Sequence, residues 1–156
     1  MLRIKRLCIE IKTANETNGG IYGFDECFSD GLNFIASTEN TSGKSSVIEA
    51  IFYCLGLEQI IGGVNQQVLT SAYKSQIKDG DKVWSVLESG AFLEIFNGNE
   101  TVTIFRSAVM EGRDPRLVTV YYGDYDSIGN QVTPPEDMYL HDNGSVSYTH
   151  LTLPTN

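Results

Sequence analysis

Basic residues are scarce in this chain. Eleven Lys and Arg stand against twenty Asp and Glu, giving a formal net charge of −9 over 156 residues. Gripping nucleic acid phosphates needs clustered Lys and Arg, so the chain is not expected to hold DNA by itself. Long apolar stretches are missing too, which excludes a transmembrane helix. The opening MLRIKRLCIEIK is charged throughout, unlike a secretory leader. Cysteine is limited to Cys8, Cys27 and Cys54, an odd number without metal-ligand spacing. That usage fits reduced thiols and a cytoplasmic protein. There is no internal repeat and no low-complexity run. The hydrophobic share, 41%, suits a globular protein, and the length allows one domain at most.

One stretch carries chemistry. Thr38 to Ser46 reads TENTSGKSS. It opens where the apolar run Leu32-Asn33-Phe34-Ile35-Ala36 stops, and it closes where a helical pattern begins. A Gly-Lys-Ser between a strand and a helix is the arrangement of a phosphate-binding loop. In such a loop backbone N–H groups surround a phosphate, the lysine ammonium reaches the β/γ-phosphates, and the hydroxyl ligates Mg²⁺. Gly43 lets the backbone approach with no Cβ in the way. Lys44 supplies the charge and is the candidate catalytic residue. Ser45 is the candidate metal ligand. Asn40, Thr41, Ser42, Gly43, Lys44, Ser45 and Ser46 together form the candidate ATP site. A bare Gly-Lys-Ser/Thr arises by chance in roughly one chain in ten of this length, so the flanking pattern decides. Thr38 stands where the strict pattern has its first glycine, and a β-branched residue there requires an ordinary backbone conformation.

Val47, Ile48, Ile51, Phe52 and Leu55 recur on one face of a 3.6-residue period, predicting a helix over 44–55 with Gly56 as its stop. Cys54 on this helix reads as a small buried hydrophobe. Upstream, 2–11 reads as a strand whose parity changes near Lys5-Arg6, the mark of a bulge. A second strand is expected over 21–28 and a third over 32–36.

Two strands, a third strand, then loop and helix: this order resembles the amino-terminal half of the ATPase heads of the SMC and SbcC-type families, which are ABC-type P-loop proteins. Their loop reads G-x-N-G-x-G-K-[ST]. Asn40 matches its asparagine and Gly43-Lys44-Ser45-Ser46 match its end, while Thr38 and Thr41 replace its first two glycines. Val47-Ile48-Glu49-Ala50-Ile51 with Leu55-Gly56 is similar to the family's helix. The resemblance is firm over 1–60 and looser over 80–125. It implies an α/β P-loop head: a mixed β-sheet with a phosphate-loop helix plus an antiparallel β meander. It also implies ATP and Mg²⁺ as cofactors, a second head (homo- or heterodimer) met through ATP, and DNA handled by the full-length complex in repair, chromosome organisation or defence. Hydrolysis in that family needs an aspartate–glutamate pair and the signature loop of a second head. Two alternatives stay open: a nucleotide-binding scaffold without turnover, or a P-loop ATPase of another type, for transport or like the overcoming-lysogenisation nucleases.

Downstream, 62–81 is polar and reads as an exposed loop with one short helix near 66–73. The segments 92–96 and 102–106 read as a hairpin joined by Asn97-Gly98-Asn99-Glu100. Strands are also expected at 84–87 and 117–122. Val118 to Asp124 superficially suggests a strand ending in an Mg²⁺-binding aspartate. Gly123 interrupts it and no glutamate follows Asp124, so a solvated strand end is the better reading. Asp124 and Asp126 lack a third ligand. His141 and His150 read as surface histidines. The chain ends in VSYTHLTLPT over 146–155. That is the translation of GTC TCT TAT ACA CAT CTG ACG CTG CCG ACG, a transposase-end adapter of sequencing libraries. Residues 145–156 are accordingly read as non-native, 1–144 as part of an ATPase head, and the natural gene is expected to continue.

Overall fold

The computed structural model describes residues 1–16, 20–38 and 43–140. Asn40, Thr41, Ser42, the two histidines and the adapter-like tail lie outside them. Seven strands are present among the described residues: β1 (Arg3–Thr13), β2 (Ile21–Cys27), β3 (Gln76–Asp79), β4 (Lys82–Phe96), β5 (Thr101–Val109), β6 (Leu117–Tyr122) and β7 (Glu136–Tyr139). Two α-helices, α1 (Lys44–Cys54) and α2 (Ser71–Lys74), fall between β2 and β3. The sheet runs β2-β1-β4-β5-β6-β7, with β3 paired to one end of β4. Every ladder among the described residues is antiparallel.

The bulge falls as the parity change requires. Ile4 faces Ile95 and Arg6 faces Glu94, so Lys5 is the extra residue on β1. After it, Leu7, Ile9 and Ile11 all point into the core. A row of side chains then crosses the sheet: Leu7 opposite Leu93, Leu93 opposite Ile104, Ile104 opposite Val120. All four are at most 5% exposed. Burying one such side chain is worth about 1.5–3 kcal/mol. The hairpin of β4 and β5 closes as its Asn-Gly turn predicts, with the Asn97 N–H donating to the Glu100 carbonyl at 3.2 Å. The segment 84–87 is no separate strand; it belongs to the fifteen-residue β4.

Two expectations are corrected. The apolar run Leu32–Ala36 forms no strand, because no described segment lies beside it to complete a ladder. Leu32 and Phe34 are instead 77% and 83% exposed. The Asn33 side chain bonds back to Ser29, accepting its backbone N–H at 2.9 Å and donating to its carbonyl at 3.0 Å, which favours a local turn. The second correction is the phase of α1. Its buried residues are Val47, Ala50, Tyr53 and Cys54, while Ile48 is 43% exposed. Small side chains at 50 and 54 let the helix sit close on the sheet, where the Cys54 thiol donates to the Ala91 carbonyl at 3.6 Å. Ile51 and Leu55 move to the flank, packed against the core's edge.

The one short helix expected near 66–73 is split into a 3₁₀ turn at Asn65–Val68 and α2. Sequence periodicity missed the other short pieces: β3, β7 and 3₁₀ turns at Glu58–Ile61 and Tyr125–Asn130. The last of these covers the other face of the sheet, where the Tyr125 ring meets Phe92 edge-on at 5.2 Å.

Candidate functional site

The first turn of α1 holds the described part of the phosphate-loop motif. Gly43 is its N-cap, in the left-handed region at φ 78°, ψ 12°. A glycine adopts that conformation without steric cost, whereas a Cβ makes it unfavourable. Among the described residues, nothing beyond its chain neighbours and its own helix lies within 4 Å of where that Cβ would stand. The Gly43 carbonyl accepts the Val47 N–H at 3.2 Å, so the helix ladder starts there. Gly43 itself offers no capping side chain, and no acidic residue lies in the first turn. The positive end of an eleven-residue helix favours an anion over a cation at this turn.

Lys44, Ser45 and Ser46 follow in order. Lys44 is half-buried, Ser45 is exposed and Ser46 is half-buried. The two serines differ in more than exposure. The Ser46 hydroxyl lies 3.1 Å from the Thr70 hydroxyl, and its carbonyl accepts the Tyr73 hydroxyl at 3.1 Å. One turn on, the Glu49 carboxylate accepts the Thr70 N–H at 3.1 Å. Burial raises the Glu49 carboxyl above its ordinary range, and the Thr70 N–H and Lys74 partly offset this. Burial likewise pushes the Tyr73 hydroxyl upward. Thr38 is exposed, at the far end of the loop.

Beside this turn lies a cavity of about 290 Å³. Gly43, Lys44 and Ser46 line one side, and Ile9, Phe24 and Ile35 line another. The motif residues Gly43 to Ser46 thus share one helix start, and Gly43, Lys44 and Ser46 share one cavity wall. Tyr73 lines the same cavity, and Glu49 and Thr70 bond beside it, although sequence reasoning left these three out. Tyr73 is the aromatic of an otherwise polar run, and that was the available signal.

The downstream aspartates are occupied elsewhere. Asp124 caps the last 3₁₀ turn by accepting the Ser127 N–H at 2.8 Å. Asp126 pairs with Arg6 at 2.9 Å. Among the described residues no group of three His, Cys, Asp or Glu is placed to hold a metal ion. No described helix is long and apolar enough to cross a membrane. No family model, curated protein or solved structure matches the chain.

Proposed function

We propose that this chain binds ATP with Mg²⁺ through the first turn of α1, as the amino-terminal part of an SMC/SbcC-like P-loop ATPase head. The observation that carries the reading is Gly43. It is a left-handed N-cap without a side chain, followed directly by Lys44 and Ser45 in the first turn of α1. These residues fit a phosphate: backbone N–H groups at the helix start donate to an anion, and the glycine leaves room for its close approach. Lys44 would offset the β/γ-phosphate charge, and the exposed Ser45 hydroxyl would face Mg²⁺. Asn40, Thr41 and Ser42 would complete the loop. The nucleotide supplies the phosphoryl chemistry when bound; the chain's own contribution is binding and charge neutralisation.

On this reading hydrolysis awaits a second head met through the nucleotide. DNA is left to the complete assembly, since a net charge of −9 disfavours phosphate contact by this chain. The free thiols suit a reducing cytoplasm. Equilibrium titration of labelled ATP with Mg²⁺ tests the reading. Lys44→Ala is expected to abolish measurable binding while leaving the circular dichroism spectrum unchanged. Equal affinity in parent and variant overturns the reading.

A further inference from the structure

We propose that Thr70 and Tyr73 are positioning residues for the phosphate-facing turn of α1, acting through Ser46. The inference rests on the nucleotide reading above and adds how the site is held. Successive helix residues project about 100° apart, so fixing one side chain fixes where its neighbours point. Ser46 is fixed twice. Its hydroxyl meets Thr70 and its carbonyl meets Tyr73, both at 3.1 Å. With Ser46 held inward, Ser45 is turned outward, and Ser45 is indeed the exposed one of the pair.

The clamp is built for this contact. α2 is a single turn, Ser71–Lys74, and one turn does not persist on its own helical propensity. Its contacts hold it. Glu49 accepts the Thr70 N–H at the front of that turn. At the back, the Ser89 hydroxyl of β4 donates to the Tyr73 carbonyl. Tyr73 is 2% exposed, and a buried phenol needs a partner for its hydroxyl. It spends that hydroxyl on the first turn of α1, on a carbonyl already used in the helix ladder. The segment from Thr70 to Tyr73 thereby joins the phosphate-facing turn to the long central strand.

The test uses the full chain, labelled ATP with Mg²⁺, and thermal unfolding of every variant. Thr70→Val and Tyr73→Phe each remove one hydroxyl contact to Ser46, and each is expected to weaken affinity about three- to tenfold. Thr70→Ser keeps the hydroxyl and is expected to bind like the parent. Ser89→Ala loosens the same turn from its far side without touching Ser46. It is expected to lower the melting temperature and to weaken affinity less than Thr70→Val or Tyr73→Phe does. Parental affinity in both Thr70→Val and Tyr73→Phe, with binding lost in Lys44→Ala, overturns the inference and leaves the nucleotide reading standing. So does an affinity loss in Ser89→Ala as large as theirs, which would make the role merely structural. Undiminished binding in Lys44→Ala removes both together. Should Thr70→Val fail to fold, Tyr73→Phe, which deletes a single oxygen, decides the matter with Thr70→Ser.

Discussion

The Arg106 guanidinium, 0% exposed, lies 2.6 Å from the Glu58 carboxylate. The pair joins β5 to the 3₁₀ turn that follows α1. Arg106 also donates to the backbone carbonyls of Tyr53 and Pro115 at 2.6 and 2.8 Å, and it stacks 3.8 Å over the Tyr53 ring. It stands on the core-facing side of β5, two residues beyond Ile104. A charge buried there costs several kcal/mol in desolvation unless its partners are complete. Removing one partner therefore matters more than removing both. Glu58→Ala is expected to destabilise the chain by about 3–5 kcal/mol in urea unfolding, and the double change Glu58→Leu with Arg106→Met by less. A single variant milder than the double one would show the guanidinium to be solvated.

Ser45 and Ser46 adjoin in sequence but have different neighbours. Ser45→Ala is expected to weaken ATP binding about tenfold in Mg²⁺, near 1.4 kcal/mol, and little in EDTA. Equal losses with and without Mg²⁺ would take Ser45 out of the metal's reach.

How far the sequence carried depended on whether a signal was local. The β4–β5 turn, the Lys5 bulge and the start and stop of α1 were legible because each rests on a few adjacent residues: Asn97-Gly98, a parity change, Gly43 and Gly56. The phase of α1 was not, because Ile48 and Ile51 are as apolar as Val47, and close approach at Ala50 and Cys54 decides between them. The run 32–36 read as a strand from composition, yet a strand also needs a neighbour. At the candidate site, Gly43 to Ser46 were visible as a motif. Thr70 and Tyr73 were hidden, since a contact between Ser46 and a distant polar segment leaves no periodic trace.

The three thiols differ in environment. Cys27 is exposed, while Cys8 and Cys54 are buried. Burial pushes the Cys54 thiol up to about 12, and burial also raises Cys8, whose sulfur lies 3.3 Å from the Tyr125 hydroxyl. Because the thiolate is the reactive form, a disulfide reagent at mildly alkaline pH should titrate Cys27 quickly and the others only in denaturant. Cys27→Ser should then abolish the fast phase. Rapid reaction of a second thiol in the native chain would contradict this burial pattern.

Acid should act partly through Asp114. Arg116 holds its carboxyl down to about 2, by a side-chain hydrogen bond at 2.7 Å and its own backbone N–H at 2.8 Å. A folded-state value below the unfolded one, about 3.9, stabilises the fold above that pH, and the stabilisation is lost as pH falls towards 2. Asp114→Asn is expected to flatten the stability profile between about pH 4 and pH 2. An acid limb of unchanged slope would show that the pair contributes nothing, as exposed ion pairs often do.

The order of strands has a mechanical consequence. Among the described residues, β1 and β4 form the one seam between the β1–β2 ribbon and the remaining strands. Each side of that seam is a set of hairpins between sequence neighbours, cheap to close, whereas the seam itself closes the long loop that carries α1. α1 lies against β1, β4 and β5, so it spans the fault line from beneath. Prising the ribbon away would therefore uncover the helix and part the two walls of the cavity beside Lys44. The integrity of that pocket is tied to the β1–β4 zipper of backbone hydrogen bonds, braced by the Lys12–Glu88 and Arg6–Asp126 pairs.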